Sequence, residues 1–280
     1  GVHVGHATII NRLRQLAREN DGVSVLVTFY PHPRKILYPN TQGKDLLMIN
    51  TQKEKIQLLE KAGLDHLVII PFSLEFSKTT SVDFIRKILV AKLHAICVVV
   101  GFNHHFGHNR EGDYDYLHQL GQYYHFSVEE IPEQDIHNEF VSSTKIRKAI
   151  LEGNIQRANA YLDHEYFLLG AVKPAENTGP DSGFNWFELV PEEPEKLVTA
   201  PGVYAASIVE YDRKSRAMAV ITGPPGEPRV LVYAPGLDWS VVPEASLAFH
   251  KRIRLTDSEN MLPSTLELKN DWDEISELIY

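Results

Sequence analysis

Apolar positions in the first half of the chain switch repeatedly between helical and strand spacing. Residues 6–18 place Ile9, Leu13, Leu16 and Ala17 on one helical face, and the β-rich run GVSVLVTF follows at 22–29. Thr51 and Glu54 form a capping-box pattern before Ile56, Leu58 and Leu59. Gly63 stops that helix, and HLVIIPF at 66–72 reads as the next strand. Thr80 and Asp83 then resemble a cap for a helix carrying Phe84, Ile88, Leu89 and Leu93, and AICVVVG at 95–101 is a near-continuous apolar strand of the kind buried on both faces. A helix over 113–122 and a strand at 127–132 complete the alternation, which predicts an α/β domain with a doubly wound parallel sheet and right-handed crossovers. Such a fold normally opens with a strand. Here Gly1 reads as part of the turn into the first helix, so residues upstream are expected.

Two short helices over 143–163, split by Gly153, close this first domain at about residue 165. From 166 to about 260 the texture changes. Pro and Gly clusters (NTGPDSG, PGVY, TGPPGEP, APG) separate short runs such as YAASIVEY, AMAVIT and RVLVYA. The expectation for 166–280 is a smaller antiparallel β-barrel with a C-terminal helix that turns Leu268, Trp272, Ile275 and Leu278 inward.

Composition sharpens this two-part picture. The 280 residues carry 28 Lys plus Arg against 37 Asp plus Glu, a net charge of −9 that argues against nucleic acid or a membrane surface as the main partner. Residues 1–165 hold 18 basic and 19 acidic residues and 12 of the 13 histidines, so imidazole chemistry belongs to the near-neutral first part. The single cysteine, Cys97, allows no intrachain disulfide, and no apolar run reaches the roughly 18–20 residues of a membrane helix. A cytoplasmic location is expected.

Four donor-rich segments stand out in the first part. GVHVGH sets His3 and His6 around Gly5 just before a helix, where a close backbone approach, N-terminal N–H groups and two imidazoles suit a phosphate. Two capping histidines on the surface would give the same pattern. TFYPHPRKILYP at 28–39 is a proline-stiffened loop at a strand's C-terminal end and carries His32 and Arg34; a plain connector is the alternative. GFNHHFGHNREGD at 101–113 combines three glycines with Asn103, His104, His105, His108 and Arg110. Its histidines have no Asp, Glu or Cys at a familiar ligand spacing, so polyphosphate is favoured over a metal. In SSTKIRKAI, Ser142, Ser143 and Thr144 stand at a helix start with Lys145 and Arg147 in its first turn. Cations there oppose the helix dipole and call for an anionic partner.

In this order and separation, the four segments resemble the motifs of the prokaryotic bifunctional riboflavin kinase/FAD synthetase family. The resemblance implies that the first domain, nucleotidylyltransferase-like in fold, transfers AMP from ATP to FMN with Mg²⁺. His3, His6, Asn103 and Arg147 would be its catalytic residues, and Gly5, His32, Arg110, Ser142, Ser143 and Thr144 would bind ATP and its phosphates. It also implies a riboflavin kinase barrel in the second domain. There the glycine spacing survives, but the family's Gly-Phe-Pro-Thr-Ala-Asn reads GFNWFEL: Trp186 stands for the Thr and Glu188 for the Asn. The family's general-base Glu falls at about Val230. Gly183 and Glu188 are the remaining candidates. The second domain is therefore expected to be a weak or absent kinase, with a rearranged active kinase as the alternative. A non-catalytic flavin- or nucleotide-binding protein is the competing reading from another class.

Overall fold

The computed structural model describes all residues except 1, 103, 133, 134, 137, 138, 177–182, 211, 212, 225, 238, 240–242, 257–261 and 280. Contacts divide the chain into two compact units. Val2–Leu46 with Gln52–Val141 forms an α/β unit, and Leu47–Thr51 with Ser142–Tyr280 forms a barrel unit.

In the α/β unit the elements run α1 (Val4–Glu19), β1 (Val25–Tyr30), α2 (Pro33–Leu37), α3 (Gln52–Lys61), β2 (His66–Pro71), α4 (Ser81–Phe84), β3 (Cys97–Gly101), α5 (Tyr114–Tyr124) and β4 (Ser127–Ile131), with a two-residue ladder of β5 (Asp135–Ile136) and β6 (Glu139–Phe140). A π-helical turn, Ile85–Val90, continues α4. The expected helix–strand alternation is present, and its strands are parallel. They pair as β1 with β2 and β3 with β4. The register of the first pair is set before it starts. The Ser24 N–H and hydroxyl both donate to Asp65 Oδ2 (2.8 and 2.6 Å), fastening the two residues that lead into β1 and β2. Those bonds hold the Asp65 carboxyl below the usual carboxylate range. α1 lies close on β3, where a Cβ on Gly101 would stand 3.1 Å from Ile9 Cδ1. Arg12 of α1 also grips Glu129 of β4 through two hydrogen bonds of 2.6 and 2.9 Å.

One expectation about this unit changes. β3 was expected to be buried on both faces, yet only Val100 of Cys97–Gly101 is fully buried, packed with Ile85, Leu117 and Phe126. Among the described residues β3 has one strand partner, β4, and a strand needs neighbours on both edges and layers on both faces to lose all its water.

The barrel unit holds α6 (Ser143–Leu151), α7 (Ile155–Leu162), β7 (Tyr166–Pro174), β8 (Phe187–Pro191), β9 (Gly202–Glu210), β10 (Arg213–Thr222), β11 (Arg229–Tyr233), β12 (Glu244–Arg254) and α8 (Thr265–Leu278). The six strands close in the order β10-β11-β8-β7-β12-β9, each pair antiparallel, as the alternating runs and turn residues predict. Gly153, at φ 70°, separates α6 from α7. α7 is tied to the barrel by Asn159, whose amide donates to Phe249 O (2.8 Å) and accepts from Tyr166 N (2.7 Å).

α8 starts at a capping box of Ser264 and Glu267. It buries Leu268 and Ile275 against Trp186, Val203, Ala205, Met218, Val220 and Leu231, with Trp272 and Ile279 alongside. Each fully buried aliphatic side chain there contributes about 2–3 kcal/mol. Leu278, expected to face inward, is exposed. The inward side runs 268, 272, 275, and Ile279, the C-cap in an extended conformation just past the helix, packs against the same cluster in place of Leu278.

Candidate active site

GVHVGH forms the start of α1. His3 is the N-cap in an extended conformation (φ −145°, ψ 174°), makes no side-chain cap hydrogen bond, and is followed by a first turn without an acidic residue. The positive end of a 16-residue helix therefore meets no negative side chain of its own. The two imidazoles converge, with ring centroids 4.0 Å apart. Gly5 leaves room beneath the His3 ring: a Cβ there would stand 3.3 Å from both Nδ1 and Cε1 of His3. His3 Nδ1 is buried without a hydrogen-bond partner among the described residues. Burial is also the main reason that the His3 pKa is pushed down to about 4, so the ring is neutral at pH 7 and offers one N–H.

His32 follows β1 and is the N-cap of α2, where its Nδ1 accepts from Arg34 N at 3.2 Å. That bond requires the proton on Nε2 and makes Nε2 the donor side of the ring.

The loop after β3 is knitted to the residues before α4. Phe106 and Gly112 pair as an isolated bridge. Glu111 accepts from Ser81 N (2.7 Å) and the Ser81 hydroxyl (2.9 Å), and His108 Nδ1 lies 3.0 Å from Ser77 O. These Ser81 bonds hold the Glu111 carboxyl below its usual range. Gly107 at φ 79° fits directly against Ser81, and Asn109 and Arg110 also take left-handed backbone. His104 stacks on Phe106 at 6.0 Å, and burial is the main cause of its lowered pKa. The loop thus uses two of its histidines for its own architecture and carries Arg110 at its turn. Asn103 lies outside the described residues. The sequence reading missed Glu111 as the residue that fixes this loop. The signal available was an acid next to Gly112 in a segment otherwise rich in donors.

SSTKIRKAI opens α6, in the barrel unit. Ser142 is the N-cap and accepts from Lys145 N at 3.3 Å. Ser143 is half-buried, Thr144 is exposed, and the first turn holds no acid. Arg147 donates from Nε to Leu47 O (2.9 Å) and from Nη1 to Ser143 O (3.3 Å), which ties its guanidinium to the first turn that carries the hydroxyls.

In the barrel, Trp186 is 3% exposed and packs among Phe184 and Tyr233, with ring centroids at 5.7 and 6.0 Å. An indole offers no acceptor, so this position supplies no oxygen ligand to Mg²⁺. Glu188 is 83% covered and its Oε2 faces Arg229 at 3.3 Å and Lys173 at 3.6 Å. Val230 is buried in the barrel. Gly183, at φ 66°, has no described residue other than its chain neighbours within 4 Å of where a Cβ would stand. These residues do not fit a Mg²⁺-phosphate site of the kind the family pattern expects in a kinase barrel.

Parallel strand pairs with donor-rich loops after β1 and β3, a donor-lined helix start and a following closed barrel are the arrangement of a nucleotidyltransferase-like protein with an appended β-barrel. A family model for FAD synthetase matches residues 1–145. A FAD synthetase of Listeria monocytogenes is 32% identical over 181 residues, covering 65% of this chain and 72% of that protein. Bifunctional riboflavin kinase/FMN adenylyltransferases of Buchnera aphidicola and Listeria monocytogenes are each 31% identical, over 66% and 73% of this chain. The matched regions span 58% and 64% of those two proteins. A crystal structure from Streptococcus pneumoniae bearing the name macrolide-efflux protein superposes with a TM-score of 0.84 at 25% identity, over 99% of this chain and 89% of that one. Among the described residues, no helix of the present chain is long and apolar enough to cross a membrane. The chain belongs to the FAD synthetase family.

Proposed function

We propose that this protein makes FAD by transferring AMP from ATP to FMN. An oxygen of the FMN phosphate attacks the α-phosphorus of ATP, a new P–O–P bond forms, the α–β anhydride bond breaks and pyrophosphate leaves. Phosphoryl chemistry of this type asks the protein for alignment and for donors where charge develops, rather than for a covalent intermediate. The observation that carries the reading is the start of α1, where two imidazoles 4.0 Å apart, one with an Nδ1 buried and unpartnered among the described residues, face no acid in the first turn.

In this reading His3 and His6 donate to the ATP phosphates, and Gly5 lets His3 lie over the backbone. Ser142, Ser143, Thr144 and Arg147 bind the polyphosphate and the leaving pyrophosphate. His32 and Arg110 line the nucleotide cleft, and Asn103 takes the position that is Asp or Asn in the family. The functional division of the chain falls at about residue 165, with α6 serving the transfer reaction although it packs with the barrel. Mg²⁺ enters with the triphosphate as Mg-ATP. The described donors of the four segments are mainly imidazole, hydroxyl and guanidinium groups, which suit phosphate oxygens better than a resident divalent cation. In this reading the barrel is a weak or absent riboflavin kinase, because Trp186 and the ion-paired Glu188 stand where oxygen ligands are expected. The cytoplasm, where ATP is available and Cys97 stays reduced, is the location this chemistry suits.

The test uses the purified full chain with Mg-ATP and either FMN or riboflavin, with flavins separated by chromatography. FAD from FMN and no FMN from riboflavin is expected. FMN formed from riboflavin at a rate comparable to FAD synthesis would sink the silent-barrel reading. No FAD from FMN would sink the adenylyltransferase itself.

A further inference from the structure

The short segment Leu47–Thr51 interrupts the α/β unit in sequence and belongs to the barrel unit in space. It is fastened there at three successive residues. Leu47 O accepts from Arg147 Nε at 2.9 Å. Met48 forms a parallel bridge with Lys196, through Met48 N to Glu195 O (2.7 Å) and Leu197 N to Met48 O (2.9 Å). Ile49 O accepts from Lys196 Nζ at 2.6 Å.

Lys196 is an unusual fastener. It is 3% exposed, and lysine is almost never fully buried without specific support. Its ammonium lies 4.6 Å from the Tyr166 ring centroid and 5.6 Å from that of Phe167, and the Tyr166 hydroxyl donates to Leu197 O. Ile49 and Leu197 on either side are wholly buried. A charge-assisted bond at 2.6 Å away from water is strong and directional, so it fixes the Ile49 carbonyl closely. Two residues earlier on the same strap, the Leu47 carbonyl is the acceptor that orients Arg147.

We propose that Lys196 is a positioning residue for adenylyl transfer, acting through Arg147: it holds the 47–51 strap whose Leu47 carbonyl sets the guanidinium at the start of α6. The proposal rests on the reading of Arg147 as a phosphate-binding group. It makes a lysine of the barrel unit part of the machinery of the first reaction, and it gives the barrel a role that needs no kinase activity. Loss of the ammonium frees Ile49 O, the strap relaxes, and Arg147 keeps its charge while losing its aim. Displacements of about 1 Å in a positioning group cost up to about 10²-fold in rate.

The experiment measures FAD formation from FMN with full-length wild type, Lys196→Met, Lys196→Arg, Arg147→Ala and the Arg147→Ala/Lys196→Met double variant, each checked by circular dichroism and thermal melting. Lys196→Met should lower kcat by roughly 10- to 100-fold with KM for FMN within about twofold, and Lys196→Arg, which keeps a charged donor, should recover most of the loss. On the Arg147→Ala background, Lys196→Met should cost less than about twofold more, since the group it acts through is already gone. A full loss on that background, or activity of Lys196→Met close to wild type, overturns the proposal. If Lys196→Met does not fold, Lys196→Gln, whose uncharged amide stops one bond short of the lysine ammonium and so loosens the hold on Ile49 O, enters the same cycle with the same criteria. Wild type that makes no FAD from FMN, or Arg147→Ala with undiminished activity, would instead overturn the functional reading beneath it.

Discussion

Replacing Gly107 by Ala should damage the α/β unit and its chemistry together. Gly107 sits at φ 79°, where an L-residue with a Cβ pays about 1–2 kcal/mol. A Cβ there would stand 2.2 Å from Ser81 Oγ, 2.7 Å from Ser81 N and 2.9 Å from Ser81 Cα. The hydroxyl can rotate, but the two backbone atoms begin α4 and are held through Ser81 N by Glu111. Reaching ordinary contact requires the loop and α4 to part by roughly 0.7 Å, so the expected total is about 2–4 kcal/mol, conformational cost plus strain. The loop carries Arg110, and a shift of that size should lower FAD synthesis by about 10-fold or more. Gly183→Ala is the matched control. Its φ is 66°, but among the described residues a Cβ meets nothing within 4 Å, so the conformational cost of about 1–2 kcal/mol is the one that applies. Urea unfolding and FMN-to-FAD turnover on both variants decide the matter. Equal destabilisation of the two, or a Gly107→Ala protein with turnover within twofold of wild type, would refute the contact argument.

Further outcomes are expected at the other segments. His3→Ala and His6→Ala should each lower kcat for FAD formation by about 10²-fold, read in steady-state assays. Because burial depresses the His3 pKa to about 4, the folded chain favours the neutral ring. The His3 contribution to stability is then full above about pH 6.5 and is lost as pH falls toward 4, and histidine NMR titration should find this ring neutral at pH 6 and its pKa raised when ATP binds. Glu111→Ala should leave Ser81 N without its acceptor, raise hydrogen exchange across 106–112 and lower adenylylation more than it lowers the melting temperature. Trp186→Ala should cost about 3–5 kcal/mol by opening a cavity against Val203, Met218 and Leu268, measured by chemical unfolding, without conferring riboflavin phosphorylation.

The hydrophobic periodicities by themselves determined the helix–strand order of the first part, the two short helices around Gly153 and the antiparallel barrel with its final helix, because each depends on local spacing and turn residues. Residue types and their order likewise marked the four donor-rich segments to which the proposed chemistry is assigned. What they could not reach are facts made by partners distant in sequence. The half-burial of β3 depends on how many strands lie beside it. The choice of Ile279 over Leu278 depends on where the end of α8 meets the barrel. Glu111 became the anchor of its loop through Ser81, 30 residues away. Lys196 became a fastener through a carbonyl 147 residues earlier, and α6 joined the barrel unit although its motif reads as the end of the first domain. A single backbone carbonyl leaves no mark on residue identity. Only the folded chain decides which side chain it meets, and here that decided how Arg147 is held.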